Sequence, residues 1–352
     1  MVVAIRARPR VSSDPGAGAV LDVRARSASA GGTTSGPFDA VLGPDADARA
    51  VYDAVAEPIV SRALDGYNGC VLAFGATGSG KTHAMAGGAD GGLVARAAAG
   101  VFAGVERGGS VVVSHVEIAD NRLRDLLARK PLARVNGAPP SSEGKPTIRE
   151  RGGGVYVAGA TRERCASAAA VVAAFSRGCA RRAVRATAKN AASSRSHAVL
   201  TLELGSGAKV HLVDLAGSER YDDAGGGIGG GRRETGAING SLAALGNVVR
   251  ALERGDAHVP YRDAALTRLL SDALGGGAFA ATLCCVSLEP SDAGATASTL
   301  RFAGRLRNIR SRPAKAAPRD PRDAEISRLA TENAELRRAL ALAGGRTGAG
   351  VV

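Results

Sequence analysis

The segment Gly75-Ala76-Thr77-Gly78-Ser79-Gly80-Lys81-Thr82 constrains this chain more than any other. It fits the pattern G-x-x-x-x-G-K-[ST], follows the apolar run CVLAF directly, and opens an alanine-rich stretch. Strand, glycine loop and helix in that order build a phosphate cradle. The glycines let backbone N–H groups turn inward, and the following helix presents its positive end to the same point. In such a cradle Lys81 neutralises β and γ charge and Thr82 ligates Mg²⁺. The pattern predicts a nucleoside triphosphate site over 75–82.

A loop of this kind needs a sheet behind it. β-branched runs recur at 2–8, 70–74, 111–118, 198–204, 209–215 and 281–288, interleaved with helical patterns at 50–65, 82–106, 166–187, 234–254 and 296–308. This alternation predicts an α/β fold, a P-loop NTPase with a mainly parallel central sheet flanked by helices. Hydrophobic residues make up 45% of the 352, enough for a sizeable core, yet aromatics are only 3% and Trp is absent, so aliphatic and small side chains must fill it. The stretches 137–146 and 225–231 read as an exposed loop and a glycine-rich flexible segment.

Composition shifts after Asn308, where SRPAKAAPRDPRD carries three prolines and basic charge. The expected division is a domain over 1–309, a linker over 310–320, a short helix over 321–343 with Asp320 as N-cap and Pro321 in its first turn, and a disordered tail over 344–352. Ile326, Leu329, Asn333, Leu336 and Leu340 follow 3-4 spacing with Asn at an a-type position. That suits a coiled coil forming a homodimer or heterodimer, or a lone amphipathic helix packing on its own domain.

Lys and Arg exceed Asp and Glu by 46 to 33, and the resulting +13 favours an anionic partner: a nucleotide, a nucleic acid or an acidic protein surface. The five cysteines are scattered without C-x-x-C spacing, which indicates neither a disulfide framework nor a zinc site and suits a reduced cytosolic or nuclear setting. No apolar stretch reaches the roughly 18 residues of a membrane span.

Two further clusters stand at strand ends. Asp214-Leu215-Ala216-Gly217-Ser218-Glu219 follows KVHLV, which puts Asp214 where a Walker B acid reaches Mg²⁺ and Gly217 where a backbone N–H meets a γ-phosphate. Asn190-Ala191-Ala192-Ser193-Ser194-Arg195-Ser196-His197 concentrates hydroxyls, an amide and a guanidinium. Each cluster alone also reads as a turn with satisfied local hydrogen bonds.

Together these stretches resemble the kinesin motor domains. NAASSRSH resembles the switch I signature, DLAGSE switch II and GATGSGKT the P-loop, in the family's order. The sequences RARP, DGYNGCVLAFG, INGSLAALGNVVRAL, HVPYRDAALTRLL and STLRFAGRLRNI agree as well, so the likeness spans about 2–310. The resemblance implies a microtubule-stimulated ATPase motor of the N-terminal-motor type, with ATP as substrate, Mg²⁺ as its partner and a place on cytoplasmic microtubules. Arg6, Arg8 and Pro9 with His83 would border the adenine. Ser194 would join Thr82 and Asp214 at Mg²⁺, while Asn190, Ser193 and Gly217 would contact the γ-phosphate or its water. Arg195 and Glu234 would pair across the switches. Arg250, Arg262 and Arg268 would face acidic tubulin.

The departures are specific. Asp223, Gly240 and Ala265 stand where many kinesins carry lysine, Ala316 and Ala317 where a linker asparagine is common, and Ala76 where Gln is common. The amino-terminal cover strand is missing, as a truncated gene model would leave it. The lost lysines weaken the expected grip on microtubules, catalysis should tolerate Ala76, and the alternative to the motor is a kinesin-fold microtubule-binding or anchoring protein with weak motility. A nucleic-acid ATPase is disfavoured, because eleven dispersed aromatics offer few stacking platforms.

Overall fold

The structure is a computed structural model and describes residues 1–10, 18–88, 91–105, 109–128, 146–151, 154–188, 195–220 and 234–316. A nine-stranded sheet organises these residues. Its strands, in chain order, are β1 (Val2–Ala7), β2 (Ala40–Leu42), β3 (Gly69–Phe74), β4 (Val111–Ala119), β5 (Arg122–Asp125), β6 (Glu163–Cys165), β7 (His197–Glu203), β8 (Lys209–Asp214) and β9 (Phe279–Val286). The helices are α1 (Ala48–Val55), α2 (Glu57–Leu64), α3 (Lys81–Ala86), α4 (Leu93–Gly104), α5 (Ala168–Ala188), α6 (Glu234–Arg254), α7 (Ala265–Leu269), α8 (Ser271–Leu274) and α9 (Ala293–Arg307).

Across the sheet the order is β6-β4-β7-β8-β3-β9-β1-β2, with β5 sharing the outer edge of β4. The five strands from β8 to β2 are parallel, as the alternating pattern predicts. The pairings of β4 with β5, β6 and β7, and of β7 with β8, are antiparallel. A short connection explains the pairing of β7 with β8. Residues 204–208 join β7 to β8 by a tight turn closed by Leu204 N–H to Ala208 O at 2.9 Å, and so brief a connection cannot make a parallel crossover.

All six residues of β3 are buried, because it lies at the sheet centre with helices on both faces. One core layer packs Ile5, Leu72, Phe74 and Val213 against Leu245 and Val248 of α6 and Leu300 and Phe302 of α9. The other packs Val71, Ala73, Leu200 and Leu283 against α1, α2, α4 and α5. Phe74 and Phe302 stack with centroids 4.0 Å apart, which seats α9 on the sheet. Burying a side chain of that size contributes about 2–3 kcal/mol.

Two helices expected as single runs are each broken. The stretch 50–65 is two helices because Pro58 lacks an N–H and ends the first ladder near Ala56, the N-cap of α2. The stretch 82–106 is α3 and α4, divided at Gly87 and Gly92. Gly87 has φ +75°, and a Cβ on Gly92 would lie 2.6 Å from Met85 O, so the chain reverses where no side chain fits. The strands at 20–22, 27–30 and 33–35 and the hairpin of 147–151 with 154–158 are too short, at three to five residues each, to announce themselves by alternation. Of the expected loops, 137–145 and 225–231 lie outside the described residues, as do 321–343 and 344–352.

Candidate functional site

Parallel register brings the expected residues to one end of the sheet. Asp214 pairs with Ala73, Cys284 with Phe74, and Arg6 with Cys285, so the carboxyl ends of β8, β3, β9 and β1 converge on the P-loop. This is where α/β sheets place ligands. The start of β7 lies at the same end, because β7 is antiparallel and Ala198 stands opposite Asp214.

The P-loop has the backbone its sequence demands. Gly75, Gly78 and Gly80 have φ of +146°, +77° and +102°. A Cβ at Gly75 would sit 2.2 Å from Cys285 O, so this glycine is needed for close approach as well as for its dihedral. Lys81 is buried, and its Nζ donates to Gly75 O at 2.8 Å and Ala76 O at 2.7 Å. Burial lowers its pKa, while the neighbouring Asp214 opposes that shift. A cation is thus held inside the loop with its anionic counterpart close by.

Thr82 Oγ1 donates to Asp214 Oδ2 at 2.8 Å, which joins two of the three expected Mg²⁺ residues directly. The same oxygen accepts from Arg182 Nη1 at 2.7 Å. Asp214 Oδ1 is buried without a hydrogen-bond partner among the described residues. A carboxylate with one oxygen tied and the other unsatisfied, beside a threonine hydroxyl, fits a hard divalent cation.

Gly217 lies against the cradle. Ser218 N–H donates to Gly75 O at 3.0 Å, and a Cβ on Gly217 would stand 2.2 Å from Thr77 Oγ1. Glu219 closes the contact. It accepts from Thr77 N–H at 2.8 Å and from Thr77 Oγ1 at 2.6 Å. Burial pushes its carboxyl up, but the hydrogen bonds from Thr77 outweigh burial and leave it below the usual range.

The other expected residues divide. Arg6 reaches the loop, where its Nη1 is buried without a partner among the described residues and would lie 2.9 Å from a Cβ on Gly80. Arg8 turns to Ser287 and Asp292, each at 3.3 Å, while Pro9 and His83 are exposed. Arg195 is half-buried just before β7. Asn190, Ser193 and Ser194 lie outside the described residues; Glu234 opens α6, but its side chain lies outside them too. Sequence reading missed Arg182, which bonds Asp214, Glu117, which accepts from Ser196 Oγ, and the role of Glu219. A carboxylate two residues beyond Gly217 was the available signal for the last of these.

Comparison with known proteins agrees with this geometry. The kinesin motor domain family model matches residues 18–309. This chain belongs to the kinesin family. Kinesin-like protein KIN-1 of Oryza sativa subsp. japonica is 39% identical over 303 residues, covering 80% of this chain and 61% of the relative. Kinesin-like protein klp-20 of Caenorhabditis elegans is 37% identical over 321 residues, covering 86% and 48%. The solved structure of a fast kinesin superposes with a TM-score of 0.72 at 32% identity, covering 91% of this kinesin and 95% of that chain. The chain spans less than two thirds of the length of these curated relatives.

Beyond the cradle, Arg262 and Arg268 of this kinesin converge on Glu150 of the hairpin at 4.0 and 3.2 Å, and Arg250 bonds Asn247 of its own helix. Ile309 is buried, and residues 310–316 run along the domain, with Arg312 N–H to Gly276 O at 2.9 Å and Ala316 N–H to Gly66 O at 2.9 Å. All five cysteines are free thiols. No described helix is long and apolar enough to cross a membrane.

Proposed function

We propose that this kinesin is a microtubule-stimulated ATPase that couples hydrolysis of ATP to movement along microtubules in the cytoplasm. The observation that carries the reading is the contact of Gly217 and Glu219 with Thr77. A switch loop seated on the P-loop exchanges its contacts when a triphosphate enters, and only contacts made in one state and lost in the other can shift a conformation.

In this reading Lys81 and the P-loop amides bind the phosphates, and Arg6, Arg8, Pro9 and His83 border the base. Gly217, Asn190 and Ser193 orient the attacking water, and Arg195 with Glu234 holds the switches closed. Thr82, Asp214 and Ser194 would hold Mg²⁺, which when bound supplies neutralisation of the phosphate charge. Phosphoryl transfer depends on positioning and charge more than on covalent help, so fixed donors suffice. The signal leaves through the chain between Gly217 and α6, the helix we assign to tubulin, and reaches the linker that follows Ile309. A helix over 321–343 would join two chains.

The test is ATPase turnover with and without microtubules. Stimulation of at least about tenfold, equivalent to a barrier change near 1.4 kcal/mol, is expected; turnover unchanged at saturating microtubules refutes the proposal. A second reading, tubulin binding with weak motility, draws support from Glu150, which partly neutralises Arg262 and Arg268. A gliding assay separates them, since this reading allows attachment of filaments without sustained movement.

A further inference from the structure

Two of the three arginines assigned to tubulin flank a joint that has no cap of its own. Arg262 lies in a single 3₁₀ turn, Tyr261–Asp263, and Arg268 in α7, which starts at Ala265. Between them Ala264 is the N-cap of α7, with φ −142° and ψ 152°, and it brings no side-chain oxygen for the first N–H groups of the helix. A distant residue supplies one. Asn121 Oδ1 accepts from the Ala265 N–H at 2.6 Å, across 144 residues of sequence.

Asn121 stands in the two-residue turn between β4 and β5, where Ala119 pairs with Arg122. Asp120 and Asn121 have φ of +50° and +57°, the left-handed pair that such a turn needs at both central positions. Glycine meets that dihedral at the second position with the least strain, so turn geometry alone does not select asparagine over glycine there. What its side chain reaches does. Thr267 holds the same joint from the inside: it is fully buried, and its Oγ1 donates to Tyr261 O at 2.8 Å and Ala264 O at 3.0 Å. The joint is therefore pinned on its core side by Thr267 and on its outer side by Asn121.

We propose that Asn121 is a positioning residue for the track-binding surface, which caps α7 from the β4–β5 turn and so fixes the spacing of Arg262 and Arg268. The proposal rests on the reading of these two arginines as tubulin contacts. Both guanidiniums lean on Glu150, so once an acidic surface draws them away, the backbone joint at Ala264 alone sets their separation. A first turn without a cap gives its leading donors to water and frays, which lets the two arginines drift apart.

Asn121→Gly is the decisive variant, because it keeps the left-handed turn and removes only the cap. The readout is ATP turnover of the full chain against microtubule concentration, with thermal melting alongside. In the wild type, turnover should rise at least about tenfold with microtubules. If it does not, the tubulin reading fails and the proposal goes with it. If it does, Asn121→Gly should raise the microtubule concentration for half-stimulation at least about threefold, and leave turnover without microtubules and at saturation within about twofold of wild type. Unchanged half-stimulation, whether or not the melting temperature falls, overturns the positioning role and leaves Asn121 a turn residue. The rescue is Ala264→Ser in the Asn121→Gly background, since Ala264 already has the extended dihedrals of an N-cap and a serine hydroxyl there accepts from the first turn. Half-stimulation restored to within about twofold of wild type supports capping, and a value that stays raised overturns it.

Discussion

His197 Nδ1 accepts a hydrogen bond from the Ala216 N–H at 3.0 Å. That bond joins the last residue of the NAASSRSH signature to the residue before Gly217. With Nδ1 accepting, Nε2 carries the proton and donates to Ser241 Oγ of α6 at 2.8 Å. One neutral imidazole therefore spans the base of switch I, the switch II backbone and the helix assigned to tubulin.

Replacing His197 with Ala should loosen this junction without touching a phosphate ligand. The buried Ala216 N–H loses its partner, which costs about 1–3 kcal/mol of stability. Affinity for mant-ADP should stay within about threefold of wild type, while stimulation by microtubules falls by at least about tenfold, a barrier change near 1.4 kcal/mol. Retained stimulation would show that the imidazole plays no part in coupling.

Acid should unfold the protein through its buried histidines. Burial, reinforced by the nearby Arg182 charge, lowers His115 and His197 from the ordinary 6.5 to about 3. The unfolded chain takes up those protons near pH 6.5 and the folded chain does not until about 3, so stability is intact above pH 6.5 and declines as pH falls from there towards 3. By pH 5.5 each histidine should cost on the order of 1 kcal/mol. His115 has both ring nitrogens buried without a hydrogen-bond partner among the described residues, so His115→Leu should raise the melting temperature at pH 7.5 and weaken the acid dependence. Urea titrations at pH 7.5 and 5.5 that give equal stability would contradict this account.

A methyl group on Gly217 would displace the two side chains that close over it. A Cβ there meets Thr77 Oγ1 at 2.2 Å and Glu219 Oε2 at 2.3 Å, so Gly217→Ala must break the Thr77–Glu219 contact. We expect nucleotide binding within about threefold of wild type and hydrolysis reduced at least about 100-fold, a loss of about 2.7 kcal/mol of barrier lowering. Single-turnover kinetics with equal effects on binding and hydrolysis would place the defect in the cradle instead.

The parts of this site that were legible in the sequence are those fixed by local chemistry. Gly75, Gly78, Gly80, Lys81 and Thr82 are adjacent in the chain, and their residue types follow from the dihedrals and charges of one loop. Asp214 was legible because it ends an apolar run. Arg182 was not, since an arginine within an alanine-rich helix reads as a solvated face until β4, β7 and β8 close over it. The division between α3 and α4 was hidden for a related reason. Gly87 and Gly92 are ordinary residues in an alanine-rich run, and only the close backbone approach reveals why both are glycine. Antiparallel β4–β7 and β7–β8 pairings depend on strand order, which periodicity does not encode.

The linker offers the last test. Lys315 Nζ lies 5.8 Å from the centroid of Tyr67, and Tyr67 packs edge-on against Phe279 with centroids 5.3 Å apart. Arg62 covers the far ring at 5.3 Å, so cations and aromatics alternate along this edge. An exposed cation–π contact contributes about 0.5–1 kcal/mol, a two- to fivefold change in a docking equilibrium. Backbone bonds to Gly66 and Gly276 remain when the ring is removed, so Tyr67→Ala should weaken docking of 310–316 without abolishing it. Hydrogen exchange at Arg312 and Ala316 should speed up by that factor, while amides in β3 keep their protection. Unchanged exchange at both linker amides would mean that the backbone bonds alone hold the segment.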